Sequence, residues 1–146
     1  MSRASQLERI ISKGQLVPLV FAHDAVAASQ TDVQLNIIEA GANVLAVTEY
    51  ITPWEGEIVG MSVLAEGTAA TAGTLAAGPT VNGTERTGLT QTLTTGKEAT
   101  ARALRGAHPF AAGDNIGAEI TTSADWDGTA LDLLVVVWVL LHLEGI

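Results

Sequence analysis

LDLLVVVWVLLHL, residues 131–143, is the stretch whose reading decides the fold class. It begins in alternation, with Asp132 between Leu131 and Leu133. It then becomes apolar on both sides through Val135, Val136, Val137, Trp138, Val139, Leu140 and Leu141. Leucines would tolerate a helix. Three consecutive valines, stiff at χ1 and suited to a pleated surface, favour a strand, as does the turn Asp125-Trp126-Asp127-Gly128 before them. A strand apolar on both faces is a strand covered on both faces. One face meets the core of a small antiparallel domain. The other is expected to meet another subunit, through Val136, Trp138 and Leu140.

Moving outward, the same grammar continues. Residues 16–22 form a short apolar stretch whose Pro18 points to an edge position or a strand start. Residues 32–38 alternate, with Val33, Leu35 and Ile37 on one side. Residues 39–43 read as a turn, and 44–51 as a β-branched run ended by Thr52-Pro53-Trp54. Residues 57–64 form another strand. The Gly-, Ala- and Thr-rich segment 66–79 reads as a linker or as strands with small side chains, and the second is preferred. Asn82-Gly83 is a strong hairpin signal, with 84–93 as the return strand. Further strands are expected over 99–104 and 115–121. Eight or nine short strands with regular turns and almost no helix pattern predict an all-β chain. It is a single antiparallel β-sandwich or jelly-roll-like domain over residues 15–146, preceded by a short N-terminal arm, residues 1–14.

Composition narrows the function. Of the 146 residues, 47% are hydrophobic and 16% charged, and the net charge is −9. So low a charge share, against roughly 25% in ordinary soluble domains, is explained if part of the surface is covered by copies or partners, or if a thin, Thr- and Ala-rich surface stays soluble through the net charge. There is no cysteine, which excludes disulfides, thiolate metal sites and thiol nucleophiles. The N-terminus has charges and no apolar core of a secretory leader, and the run 133–141 is far short of a membrane helix. Seven Lys and Arg, not clustered in one block, argue against a nucleic-acid partner. Three of them, Arg3, Arg9 and Lys13, lie in the arm, while residues 106–146 carry none. The arm also carries Leu7, Ile10 and Ile11 on one side of a brief helix that Ser5 would cap and Gly14 would end. These six residues are the expected contact with a neighbour.

Four segments between Glu57 and Val137 carry a resemblance: Ile58 to Val63 before an Ala/Gly/Thr-rich segment, Thr80 to Thr84 with its Asn-Gly turn, the Pro-Phe-x-Ala-Gly-Asp element from Pro109 into Gly117, and the closing Asp132 to Val137. The chain resembles the small β-sandwich head-decoration proteins of tailed bacteriophages. The pattern recurs in head-fibre and tail-associated proteins, and the first fifty residues fall outside it. The resemblance implies a structural virion protein, assembled in the host cytoplasm and bound to the capsid surface. It implies a homotrimer touching the major capsid protein through an extended terminal segment, with no catalytic residue and no cofactor. The alternative is a fibre or tail-associated module that binds a cell-surface glycan, with Trp54 and Trp126 as its stacking platform.

Other chemistry is weakly signalled. His23, His108 and His142 are isolated and lack metal-type spacing, so structural or interface roles are expected. Asp125 and Asp127, with Asp114 and Asn115 upstream, are the oxygen-rich turns in which a cation would sit, although turn chemistry alone accounts for them. Glu55 and Glu57, with Glu49 nearby, form a pair of the acid–base type, for which a solvated face is the preferred reading. Ser62 lacks the second glycine of a nucleophile elbow. The residues therefore predict an assembly protein rather than an enzyme.

Overall fold

A computed structural model describes Arg3 and residues 13–38 and 46–143 of the chain. Its strands, in chain order, are β1 (Gln15–His23), β2 (Val33–Gln34), β3 (Tyr50–Ile51), β4 (Gly56–Glu66), β5 (Leu75–Val81), β6 (Thr84–Glu85), β7 (Gln91–Leu93), β8 (Glu98–Arg102), β9 (Pro109–Phe110), β10 (Asn115–Thr122) and β11 (Asp132–Leu141). They form two antiparallel sheets packed face to face. The first has the order β1-β11-β4-β8, with β9 also on β4. The second has the order β2-β10-β5-β6, with β3 on β10 and β7 on β5. The expected β-sandwich is what the chain forms.

β11 is central in the first sheet. Its odd-numbered residues from Leu133 to Leu141 are buried between the sheets, against Leu19, Phe21, Ile58, Met61 and Val63 of the same sheet and Leu75, Ala77, Ile116, Ala118 and Ile120 of the other. The register with β4 slips between Trp138 and Val139, where Gly60 and Ile58 are their successive partners. Val59 is the extra residue of this bulge, and it allows Ile58 and Met61 both to face inward despite their odd spacing.

β1 is an edge strand, the first of the two positions to which Pro18 points. Ala22 exchanges both backbone bonds with Asn36, at 2.7 and 2.9 Å. In an antiparallel strand alternate residues direct both backbone groups to one side. The even-numbered residues of β1 therefore point away from β11, and Pro18, with no N–H, is one of them.

Some elements are shorter than their sequence pattern suggests. The alternating 32–38 segment contributes two residues to β2. Gln34 pairs with Glu119 in one sheet, and two residues later Asn36 bonds to Ala22 in the other, so the segment crosses between the sheets. Residues 67–74 are loop rather than strand, and strand structure resumes at Leu75. The Asn82-Gly83 hairpin forms as expected, both residues having positive φ, 51° and 72°. Its return strand is interrupted by a 3₁₀ turn over Thr87–Leu89. The predicted turn 39–43 and the start of the 44–51 run lie outside the described residues.

The loop 67–74 is held by the turn before β11. The Asp127 carboxylate accepts bonds from the backbone N–H groups of Thr71 and Ala72, at 2.8 and 3.0 Å, and from the Thr71 hydroxyl. Trp126, beside it, is buried, and its Nε1 donates to the Val26 carbonyl at 3.2 Å. The two residues close the end of the sandwich. Replacing Trp126 with Ala should destabilise the chain by about 3–5 kcal/mol, measured by urea unfolding.

Candidate functional site

Cross-strand register builds a continuous apolar surface on the outward side of the first sheet. Leu16 stands opposite Leu140, Pro18 opposite Trp138, Val20 opposite Val136 and Ala22 opposite Leu134. On the other side of β11, Leu134 meets Leu64, Val136 meets Ser62 and Trp138 meets Gly60. Val20 is 43% exposed and Leu16 50%, while Val136, Trp138 and Leu140 are half-buried. The structure thus places the three sequence-predicted interface residues side by side on one outward face, together with β1 residues that the sequence did not single out. The reason is the pleat. Core-facing and outward residues alternate on β11, and here both sets are apolar.

Trp138 shapes this face. It lies over Gly60, where an added Cβ would stand 3.7 Å from its ring, and its Nε1 donates to Ser62 Oγ at 3.2 Å. Around it, Leu16, Val59, Ser62, Thr100 and Arg102 line a groove of about 370 Å³. Asp132 and Glu66 lie at one end of β11, and Glu98 and Arg102 on the edge strand β8.

At the other end is a polar cluster that corrects the reading of Glu57 as solvated. Glu57 is 2% exposed. Arg105 Nε donates to its Oε1 at 2.9 Å, the Gly106 N–H donates to its Oε2, and His142 Nε2 lies 3.5 Å from Oε1. Burial by itself would raise this carboxyl. The Gly106 N–H, Arg105 and His142 outweigh it and hold Glu57 below the usual glutamate range. Arg105 is 48 residues away, a partnership that local pattern cannot reveal. Glu55 stays exposed, so the two do not form a catalytic pair.

The remaining candidates are accounted for locally. Asp127 is engaged by Thr71 and Ala72. Asp114 accepts Asn82 Nδ2 at 2.9 Å and the Ala111 N–H at 2.7 Å, closing its own turn, and its carboxyl is held below the ordinary range, first of all by Asn82. Trp126 is in the core, so a stacking platform of Trp54 and Trp126 does not exist on the surface. Of the arm residues, Arg3 and Lys13 are exposed, and Gly14, with φ +86°, takes the left-handed form that ends a helix. Leu7, Arg9, Ile10 and Ile11 lie outside the described residues.

Comparison with protein-family models, with curated proteins and with solved structures returned no match for this chain.

A folded-state carboxyl held low stabilises the protein above its unfolded pKa and loses that contribution as the pH falls through the folded value. Glu57→Gln should therefore cost about 1–3 kcal/mol at neutral pH, where it leaves the Gly106 N–H and Arg105 poorly matched. The gap to wild type should close as the solution is taken below the ordinary glutamate range, in unfolding curves recorded across that interval.

Proposed function

We propose that the chain is a non-enzymatic assembly protein, a capsid decoration protein of a tailed bacteriophage, that self-associates through the outward face of β1, β11 and β4. The observation that carries the reading is the unbroken apolar strip from Leu16 and Leu140 to Ala22 and Leu134, a type of surface that monomers rarely leave exposed. The occupant is a second copy. Bodies of net charge −9 repel wherever their carboxylates meet, and this strip is a surface on which they approach without such a meeting. A closed ring, a trimer if the resemblance to head-decoration proteins holds, covers the strip on every copy.

The four segments that carry the resemblance to head-decoration proteins support the capsid part. They fall on β4, on the β5–β6 turn, on β9 through the start of β10, and on β11. These are the two central strands of the first sheet, a hairpin turn of the second, and the connection that leads from β9 of the first into β10 of the second. The basic arm, with Arg3, Arg9 and Lys13, then reaches an acidic neighbour. Single exposed ion pairs contribute about 0–1 kcal/mol, so Leu7, Ile10 and Ile11 have to supply most of the affinity. On an array such modest contacts act together through effective concentration.

Sedimentation of the purified protein at micromolar concentration should give an oligomer. Val20→Asp, placed on the exposed part of the strip, should give a folded monomer with nearly unchanged unfolding. A monomeric wild type would sink the interface. Deleting residues 1–13 should leave the oligomer intact and weaken binding to bare capsid shells at least tenfold, and wild-type binding by the truncated chain would remove the arm from the contact.

A further inference from the structure

The outward face of the second sheet is built from opposite chemistry. β10 places Gly117 and Glu119 there, and β5 places Gly78 and Thr80, with Gly117 opposite Thr80 and Glu119 opposite Gly78. β2 adds Gln34, whose Nε2 donates to Glu119 Oε2 at 2.9 Å. Glu49, just before β3, accepts a bond from Asn115 Nδ2 at 3.0 Å. A Cβ built on Gly117 would stand 2.7 Å from Thr80 Oγ1, 2.9 Å from Gln34 Oε1 and 3.4 Å from Glu49 Cγ. Three oxygen-bearing side chains thus lean over a bare glycine floor.

Two of these oxygens have no partner. Thr80 is fully buried and its hydroxyl makes no hydrogen bond, and Gln34 Oε1 is likewise buried and unpaired. Buried polar atoms in native proteins are overwhelmingly paired. Beside them Glu119 is 7% exposed and has no ion-pair partner among the described residues. A water molecule would satisfy the two oxygens but leave the buried Glu119 carboxylate without a cationic partner. A cation answers both.

We propose that this cradle binds a hard divalent cation of the calcium class, held by Thr80 Oγ1, Gln34 Oε1 and the carboxylates of Glu119 and Glu49 over Gly117. Hydroxyl, amide and carboxylate oxygens are the donors such ions take. No three acidic or histidine side chains converge as a metal cage among the described residues, so the donor set is mixed and its charge count low. That places the dissociation constant in the weak range of roughly 10⁻⁴–10⁻³ M.

Thermal unfolding of the full chain tests this in EDTA, in millimolar CaCl₂ and in NaCl of matched ionic strength. Calcium should raise the midpoint by about 2–4 °C over both other conditions. Glu119→Gln, which keeps an acceptor for Gln34 but removes the charge, should melt no lower than wild type in EDTA and gain nothing from calcium. Thr80→Val, which removes the orphaned hydroxyl at constant shape, should lose the response as well, and it serves if Glu119→Gln does not fold. Equal midpoints for wild type in calcium and in matched NaCl would overturn the site. So would a calcium response of wild-type size in the variants, which would place the ion elsewhere.

Discussion

β11 has ten residues, and between Leu133 and Leu141 not one of them is charged. Such a strand can exist only in the middle of something. Its odd-numbered side chains demand a second sheet, its backbone demands a strand on each side, and its even-numbered side chains make the apolar strip of the outward face. β1 and β4 supply the flanking ladders along its length. β10 and β5 supply the opposing layer. The Val59 bulge, the crossing of residues 33–36 between sheets and the Asp127 clamp each fit the rest of the chain around that one strand.

The two outward faces divide the labour of a charge-poor sequence. One is an apolar strip with charges only at its margins. The other carries Asp32, Glu49, Glu85 and Glu119 around small or polar residues. Keeping Asp132, Glu66 and Glu98 at the margins of the first sheet leaves its apolar strip able to approach a like-charged copy. Glu57 is the exception. It is taken out of solvent and satisfied by the loop between β8 and β9, where it pins Arg105 and Gly106 while Leu104 beside them stays 85% exposed.

What the sequence makes legible is what depends on neighbours in the chain. Period-two patterns and β-branched runs mark β4, β10 and β11, Asn82-Gly83 marks a hairpin, and Pro18 marks an edge. The outward set Val136, Trp138 and Leu140 follows from β11 alone. What stays hidden depends on distant partners. Glu57 reads as a surface acid until Arg105 is folded onto it. Trp126 reads as a turn aromatic until Val26 accepts its N–H. The loop at 67–74 has the small residues of a strand but is claimed by Asp127. Thr80, Gln34 and Glu119 come together only through three strands that are remote in sequence.

The free rim of β1 is already spent. Ala22 is bonded to Asn36, the Val20 carbonyl accepts the Tyr50 hydroxyl at 3.3 Å, Pro18 has nothing to donate, and the Leu16 carbonyl accepts Gln15 Nε2 at 3.2 Å. An incoming strand would find no run of vacant donors and acceptors to zip onto. A sheet this rich in valine and leucine is thereby denied strand-by-strand growth from its β1 edge, the route that leads to fibrils.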